Sequence, residues 1–181
     1  GLYTSLGFEG TDPTIAFYTR VEGDLWVATR IGGAWEFTRI DGRDCDAGRY
    51  ADLAWDEDNG GWAVAYEDTT AGSVKYARRR DGRWETRVVE TLPGGAAFFS
   101  LGFSGGTPWI SYYAGRDGDL RVAHAGTQGW TGEELIEFGT RGLYTELFVK
   151  DDVVHITYWN RTGDSLGIAR QDGRGGWEFR V

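Results

Sequence analysis

The sequence predicts an all-β fold, a β-propeller with four blades of four antiparallel strands each, at about 47 residues per blade. Three observations predict it. An aromatic stands three residues before a leucine four times, at Tyr3–Leu6, Tyr50–Leu53, Phe98–Leu101 and Tyr144–Leu147, and the leucines lie 47, 48 and 46 residues apart. Each pass runs on to a tryptophan (Trp35, Trp84, Trp130, Trp177), spaced by 49, 46 and 47 residues. Glycine is abundant at 29 residues and proline scarce at 3, as many tight turns between short strands require.

The first repeat reads as four strands in order. Tyr3-Thr4-Ser5-Leu6-Gly7-Phe8 alternates, with Thr4, Leu6 and Phe8 on one face, and Gly10-Thr11-Asp12-Pro13 turns the chain. Thr14 to Tyr18 is a β-branched and aromatic run, and Glu22-Gly23-Asp24 is the next turn. Leu25 to Thr29 forms the third strand, Gly32-Gly33 turns again, and Trp35 to Ile40 is the fourth. The later repeats follow this plan. Their second strands read Ala63 to Tyr66, Trp109 to Tyr113 and His155 to Trp159. The third strands keep a small residue at Ala28, Ala77, Ala123 and Ala169. Asp81-Gly82 and Gly175-Gly176 suit primed hairpin turns.

The expected blades cover about 1–41, 48–90, 97–137 and 142–181 of a single domain, residues 1–181. A lone four-stranded sheet leaves both faces wet, and stacking blades buries them. A β-sandwich would not need a tryptophan at a fixed place in every fourth strand. Starting at a first strand and ending at a fourth, the chain is expected to share no blade between its termini. A closed four-bladed monomer is expected over a fragment of a larger propeller or a half that dimerises.

Composition narrows the functional classes. The net charge of −9, with basic residues interspersed among acids, argues against a nucleic-acid binder. No apolar run of about 18 residues is present, so no membrane-spanning helix is expected. The one cysteine, Cys45, cannot form an internal disulfide, and with only two histidines, His124 and His155, and no Cys/His cluster, a zinc site of the usual kind is not expected. With no methionine and a first residue already in a strand, a mature or trimmed chain is expected. Compartment stays open, leaning to a secreted or cell-surface bacterial protein.

Ile110-Ser111-Tyr112-Tyr113, Gly118-Asp119-Leu120-Arg121-Val122-Ala123 and Gly129-Trp130 resemble bacterial propeller repeats of the HISYY…GDLxxA…GW type. His155-Ile156-Thr157-Tyr158 and Asp24-Leu25-Trp26-Val27-Ala28 look like further copies. The resemblance spans the chain and implies fold rather than activity. The pattern is also distantly similar to fucose-binding propeller lectins. Where that family carries a sugar-holding arginine on the second strand, this chain has Ile15, Val64, Ile110 and Ile156.

In a propeller, the fourth-to-first connectors and second-to-third loops share one face, the expected site. Tyr3, Tyr50, Phe98 and Tyr144 start the inner strands there, as a sugar platform or as packing between blades. Tyr18, Glu67, Tyr113 and Trp159 end the second strands, and a carboxylate beside exposed aromatics suits a polyhydroxylated ligand. The loops add Glu22, Asp24, Asp68, Arg116, Asp117, Asp119, Arg161 and Asp164, and the connector runs from Asp41 to Asp46. Ser5, Asp52, Ser100 and Glu146 are equivalent inner-strand positions. In a closed ring Asp52 and Glu146 would face each other, fit for acid–base work or a cation. Asp56-Glu57-Asp58-Asn59-Gly60 and Arg116-Asp117-Gly118-Asp119 resemble calcium loops without EF-hand spacing. His155 reads as structural, and His124 as exposed on an outer strand.

The ligand-binding set is therefore Tyr3, Tyr18, Tyr50, Glu67, Tyr113, Tyr144 and Trp159, with Asp52 and Glu146 the catalytic candidates. The main reading is a carbohydrate-binding, lectin-like module taking a glycan or small molecule. The alternatives are an enzyme with an axial acidic site (a glycan lyase, a hydrolase or a cyclase) and a protein-interaction scaffold. No metal site, nucleic acid or membrane is expected. No cofactor is expected either, calcium being the one ion the acidic loops could take.

Overall fold

The computed structural model describes residues 1–116, 118–136 and 141–181. Asp117 and the expected third-blade end at 137 lie outside the described residues. The described residues form sixteen strands in four four-stranded antiparallel sheets, the four propeller blades. Blade 1 is β1 (Leu2–Glu9), β2 (Asp12–Thr19), β3 (Asp24–Ile31) and β4 (Ala34–Asp41). Blade 2 is β5 (Ala47–Trp55), β6 (Trp62–Asp68), β7 (Ser73–Arg80) and β8 (Arg83–Thr91). Blade 3 is β9 (Ala96–Ser104), β10 (Thr107–Ala114), β11 (Asp119–Gly126) and β12 (Gly129–Ile136). Blade 4 is β13 (Arg141–Lys150), β14 (Val153–Asn160), β15 (Ser165–Gln171) and β16 (Trp177–Arg180). Each strand hydrogen-bonds only to its sequence neighbours, so every blade is a meander.

The chain divides into two compact units, Gly1–Thr91 and Leu92–Val181, of two blades each. In the first unit, Ala16, Leu25 and Val27 of blade 1 pack on Leu53, Trp62, Val64, Tyr66 and Ala77 of blade 2. Trp84 lies against this core. The second unit repeats the arrangement. Leu120 and Val122 of blade 3 meet Leu147, Ile156, Tyr158 and Ala169 of blade 4, with Trp177 packed alongside. Thus, in the second blade of each unit, the repeated leucine, second-strand apolar pair, third-strand alanine and fourth-strand tryptophan form one half of the seam between its two blades. Gly7 shows how close that seam is, since a Cβ there would come 2.5 Å from the Trp62 ring.

The turn chemistry holds at Asp81-Gly82, where both residues have positive φ, as a type I′ hairpin requires. It differs at Gly175-Gly176. There only Gly175 is left-handed, and Asp172 closes a wider loop by accepting from the Arg174 and Gly176 amides at 2.7 and 2.9 Å.

Candidate functional site

Simple alternation fails at one shared place in every inner strand, and β5 and β13 carry a second shift nearer their starts. Between Leu2↔Tyr18 and Ser5↔Ala16, β1 advances three residues while β2 advances two. The same extra residue follows Arg49, Ala97 and Leu143 in the other blades. At each bulge the repeated aromatic adopts a left-handed backbone: φ is 50° at Tyr3, 54° at Tyr50, 58° at Phe98 and 53° at Tyr144. This conformation costs a non-glycine residue about 1–2 kcal/mol, and bulges re-aim side chains. Here they turn four aromatic rings toward the neighbouring blade.

In the first unit the Tyr3 and Tyr50 ring centroids lie 4.5 Å apart, and Tyr3 lies 6.0 Å from Tyr18. The Tyr50 hydroxyl is held above its ordinary range by burial, then by Tyr3 and the Glu67 carboxylate. Below the rings, Ser5 donates to Asp52 at 2.9 Å and accepts from the Leu53 amide at 3.0 Å. In the second unit Phe98 and Tyr144 lie 4.4 Å apart, with Tyr113 6.3 Å from Phe98. Ser100 likewise accepts from the Leu147 amide at 2.9 Å. Two of the four inner-strand polar positions are therefore backbone clamps. Adjacent inner strands do not pair, and a serine hydroxyl supplies the bond between them. Asp52 and Glu146 belong to different units. Asp52 is half-buried on Ser5, and Glu146 is exposed.

The second-strand positions are not uniformly exposed. Tyr18 and Glu67 are buried, whereas Tyr113 and Trp159 are half-buried. Tyr18 donates to Asp46 at 2.8 Å, and the Arg49 guanidinium, 5.7 Å from its ring, reaches the same carboxylate at 2.6 Å. Asp46 carries this load because the connector folds back on blade 2, where Thr70 Oγ1 accepts its amide hydrogen at 2.8 Å. Burial pushes the Asp46 carboxyl up, but the hydrogen bonds from Tyr18 and Arg49 outweigh it and leave it below the ordinary range. Burial likewise raises Tyr18, and its bond to Asp46 adds to the rise.

Beside this network sits one that sequence reading missed. Tyr66 donates to Asp41 at 2.7 Å, and the Lys75 ammonium bridges Asp41 at 2.5 Å and Asp68 at 3.2 Å. Burial alone would lower Lys75, yet the two carboxylates hold it above its ordinary value. Burial and the Asp41 charge push Tyr66 far up. Cys45 rises to about 11 through burial and the Asp41 and Asp68 charges, the opposite of what a thiolate nucleophile needs. Lys75 is one of only two lysines in the chain, which was the available signal.

Several loop carboxylates are structural. Asp24 is buried against Arg39 at 3.1 Å. Asp56 binds Arg78 at 2.6 Å and accepts from the Asp58 and Asn59 amides, so its oxygens are committed within the turn. Glu22, Arg116, Arg161 and Asp164 are exposed. Among the described residues, no group of three His, Cys, Asp or Glu side chains is placed to hold a metal ion. His124 is half-buried rather than exposed, because its register opposite Trp109 stacks the two rings 4.3 Å apart. His155 stacks on Phe148 at 4.8 Å, and its Nδ1 lies 3.0 Å from the Val153 carbonyl.

Sheets of four meandering strands, packed in pairs within each unit, define this chain as a β-propeller protein. No family model matches it, and no curated protein matches its sequence. Solved structures do match, all under 25% identical in the cases that follow. A triple arginine-to-alanine mutant of AofleA from Arthrobotrys oligospora superposes with a TM-score of 0.69 at 17% identity, over 99% of this chain and 56% of that one. The exo-β-1,3-galactanase of Phanerochaete chrysosporium, solved with β-1,3-galactotriose, gives 0.62 at 9% identity, over 97% and 48%. A GH43 endo-arabinanase from Bacillus licheniformis gives 0.55 at 14%, over 99% and 79%. The chain spans about half the length of the first two.

Proposed function

We propose that this chain is a carbohydrate-active propeller that engages glycan chains through the left-handed aromatic positions and their neighbours. The observation that carries the reading is the bulge kept in all four blades, each time with an aromatic where glycine would be strain-free. Packing alone would not need the strain. Partly exposed rings offer stacking to a sugar, and the Tyr3, Tyr50, Tyr113 and Tyr144 hydroxyls offer hydrogen bonding, the combination such ligands require. Tyr3, Tyr50, Tyr113, Tyr144 and Trp159 are the proposed contacts, and buried Tyr18 and Glu67 support them from beneath.

Of the finer readings, hydrolysis is better supported than lectin-like binding alone, because the superposable proteins include a galactanase solved with its sugar and GH43 enzymes. In that reading Asp52, in the first unit, and Glu146, in the second, are each a candidate carboxylate for acid or base work within its own unit. The experiment is incubation with arabinan, galactan and xylan oligosaccharides, with calcium and with chelator. Binding is followed by tryptophan fluorescence and cleavage by reducing-sugar release. Tyr144→Ala, at an exposed ring, should weaken binding at least tenfold with little change in the unfolding midpoint. Asp52→Asn and Glu146→Gln should abolish release while leaving binding intact. Release that survives both would overturn the hydrolase reading, and no binding to any of the panel would overturn the glycan reading.

A further inference from the structure

The seam inside each unit has two distinct halves. One half is a leading surface made of the inner-strand leucine, two second-strand side chains, the third-strand alanine and the fourth-strand tryptophan. Blade 2 supplies it as Leu53, Val64, Tyr66, Ala77 and Trp84. The other half is a trailing surface dominated by two third-strand residues, Leu25 and Val27 in blade 1 and Leu120 and Val122 in blade 3. The register assigns the counterparts on the outer blades. Leu6 pairs with Ile15 as Leu53 pairs with Val64, so the leading surface of blade 1 is Leu6, Ile15, Phe17, Ala28 and Trp35. Thr157 faces Ile168 as Ala16 faces Val27, so the trailing surface of blade 4 centres on Leu166 and Ile168.

These two surfaces are open. Leu6 is 57% exposed where Leu53 is 7%, and Leu166 and Ile168 are 61% and 39% exposed where Leu25 and Val27 are 0% and 2%. Phe37 adds a further exposed ring beside Trp35, and Ile15, Phe17, Ala28, Trp35 and Phe37 line a groove of 330 Å³. Ile15, Phe17, Ala28 and Trp35 of that groove correspond to Val64, Tyr66, Ala77 and Trp84, which share a core with Leu25 and Val27. Apolar exposure of this kind, concentrated at matched positions, marks an interaction surface.

We propose that the occupant is a second copy of this chain, docked head to tail, with the Leu166 and Ile168 face of one copy on the Leu6 and Trp35 face of the next. The two faces are complementary because they are the two halves of an interface that the chain already forms once in each unit. The contact would also place Tyr144 of one copy against Tyr3 of the next, as Tyr3 meets Tyr50 and Phe98 meets Tyr144 within a unit. Such a contact is heterologous, since it joins different patches. Two copies carry eight blades, within the roughly four to eight that propellers use.

Heterologous docking has a signature that sedimentation velocity reads directly. The wild-type chain should sediment with the mass of two chains at high micromolar concentration. Leu6→Asp with Phe37→Asp removes one face, and Leu166→Asp with Ile168→Asp removes the other. Each double variant alone should be monomeric, because neither retains a matching pair of faces. Mixed in equal amounts, the two should recover a two-chain species through their one intact pair. Circular dichroism reports whether the sheets survive. If either double variant loses its β spectrum, the milder Leu6→Gln and Leu166→Gln replace it, each expected to raise the dissociation constant at least tenfold. A wild-type chain that sediments as a monomer overturns the proposal. So does a single-face variant that keeps the two-chain mass, which would indicate like-on-like docking.

Discussion

Tyr50 separates backbone strain from ring packing. Its φ of 54° is left-handed, and its ring lies 4.5 Å from Tyr3. Truncation to alanine removes the ring but keeps the strain. Truncation to glycine removes both. The ring pair contributes about 0.5–1.5 kcal/mol beyond area burial, and loss of a half-buried aromatic brings the total to about 2–3 kcal/mol. Release of a left-handed Cβ returns about 1–2 kcal/mol, against about 0.5–1 kcal/mol for the extra freedom glycine gives the unfolded chain. Tyr50→Gly should therefore be the more stable of the two by about 1 kcal/mol, a reversal of the usual order within a strand. Urea unfolding at 25 °C, followed by tryptophan fluorescence, measures the difference. Equal or greater stability of Tyr50→Ala would refute the argument that a strained bulge aims this ring.

Other consequences follow from the polar networks of the first unit. Lys75→Met leaves Asp41 and Asp68 facing each other with little water, their side chains 17% and 5% exposed, and should cost about 2–4 kcal/mol in urea unfolding at pH 7. The deficit should shrink in acid, as the two carboxyls take up protons. In the wild type, Asp41 and Asp46 lie below their ordinary 3.8, so the stability they contribute is present above that value and lost as pH falls below it. Tyr18, Tyr50, Tyr66 and Lys75 lie above their ordinary 10.0 and 10.5, so their contribution is present below those values and lost as pH rises past them. With Cys45 raised above its ordinary 9.0 as well, a melting profile against pH should accordingly be flat from about 4 to 9 and fall on both sides. Cys45, raised to about 11, should react with iodoacetamide at pH 8 much more slowly in the native chain than in urea, and equal rates would contradict its placement.

The recurring seam and turn residues of this chain were legible in its sequence. Four copies of one spacing announced the blades, because a seam that must be built repeatedly imposes the same leucine, alanine and tryptophan each time. Strand bounds came within one or two residues for the same reason, as alternation and turn residues act over a few positions. The bulge was hidden. An aromatic at positive φ leaves no compositional trace, since the residue expected there is glycine, and only the register of the paired strands exposes the extra residue. The burial of Tyr18 and the service of Ser5 and Ser100 as clamps also escaped, because each depends on a partner some 28 to 48 residues away. The knot of Asp41, Tyr66, Asp68 and Lys75 is of that kind too. Sequence by itself determined the blades, their order and the residues that join them, because those follow from local periodicity. Tertiary structure alone decided which carboxylates are committed, which rings are turned to the blade edge and which faces are left open, because pairing and exposure are properties of neighbours brought together by the fold.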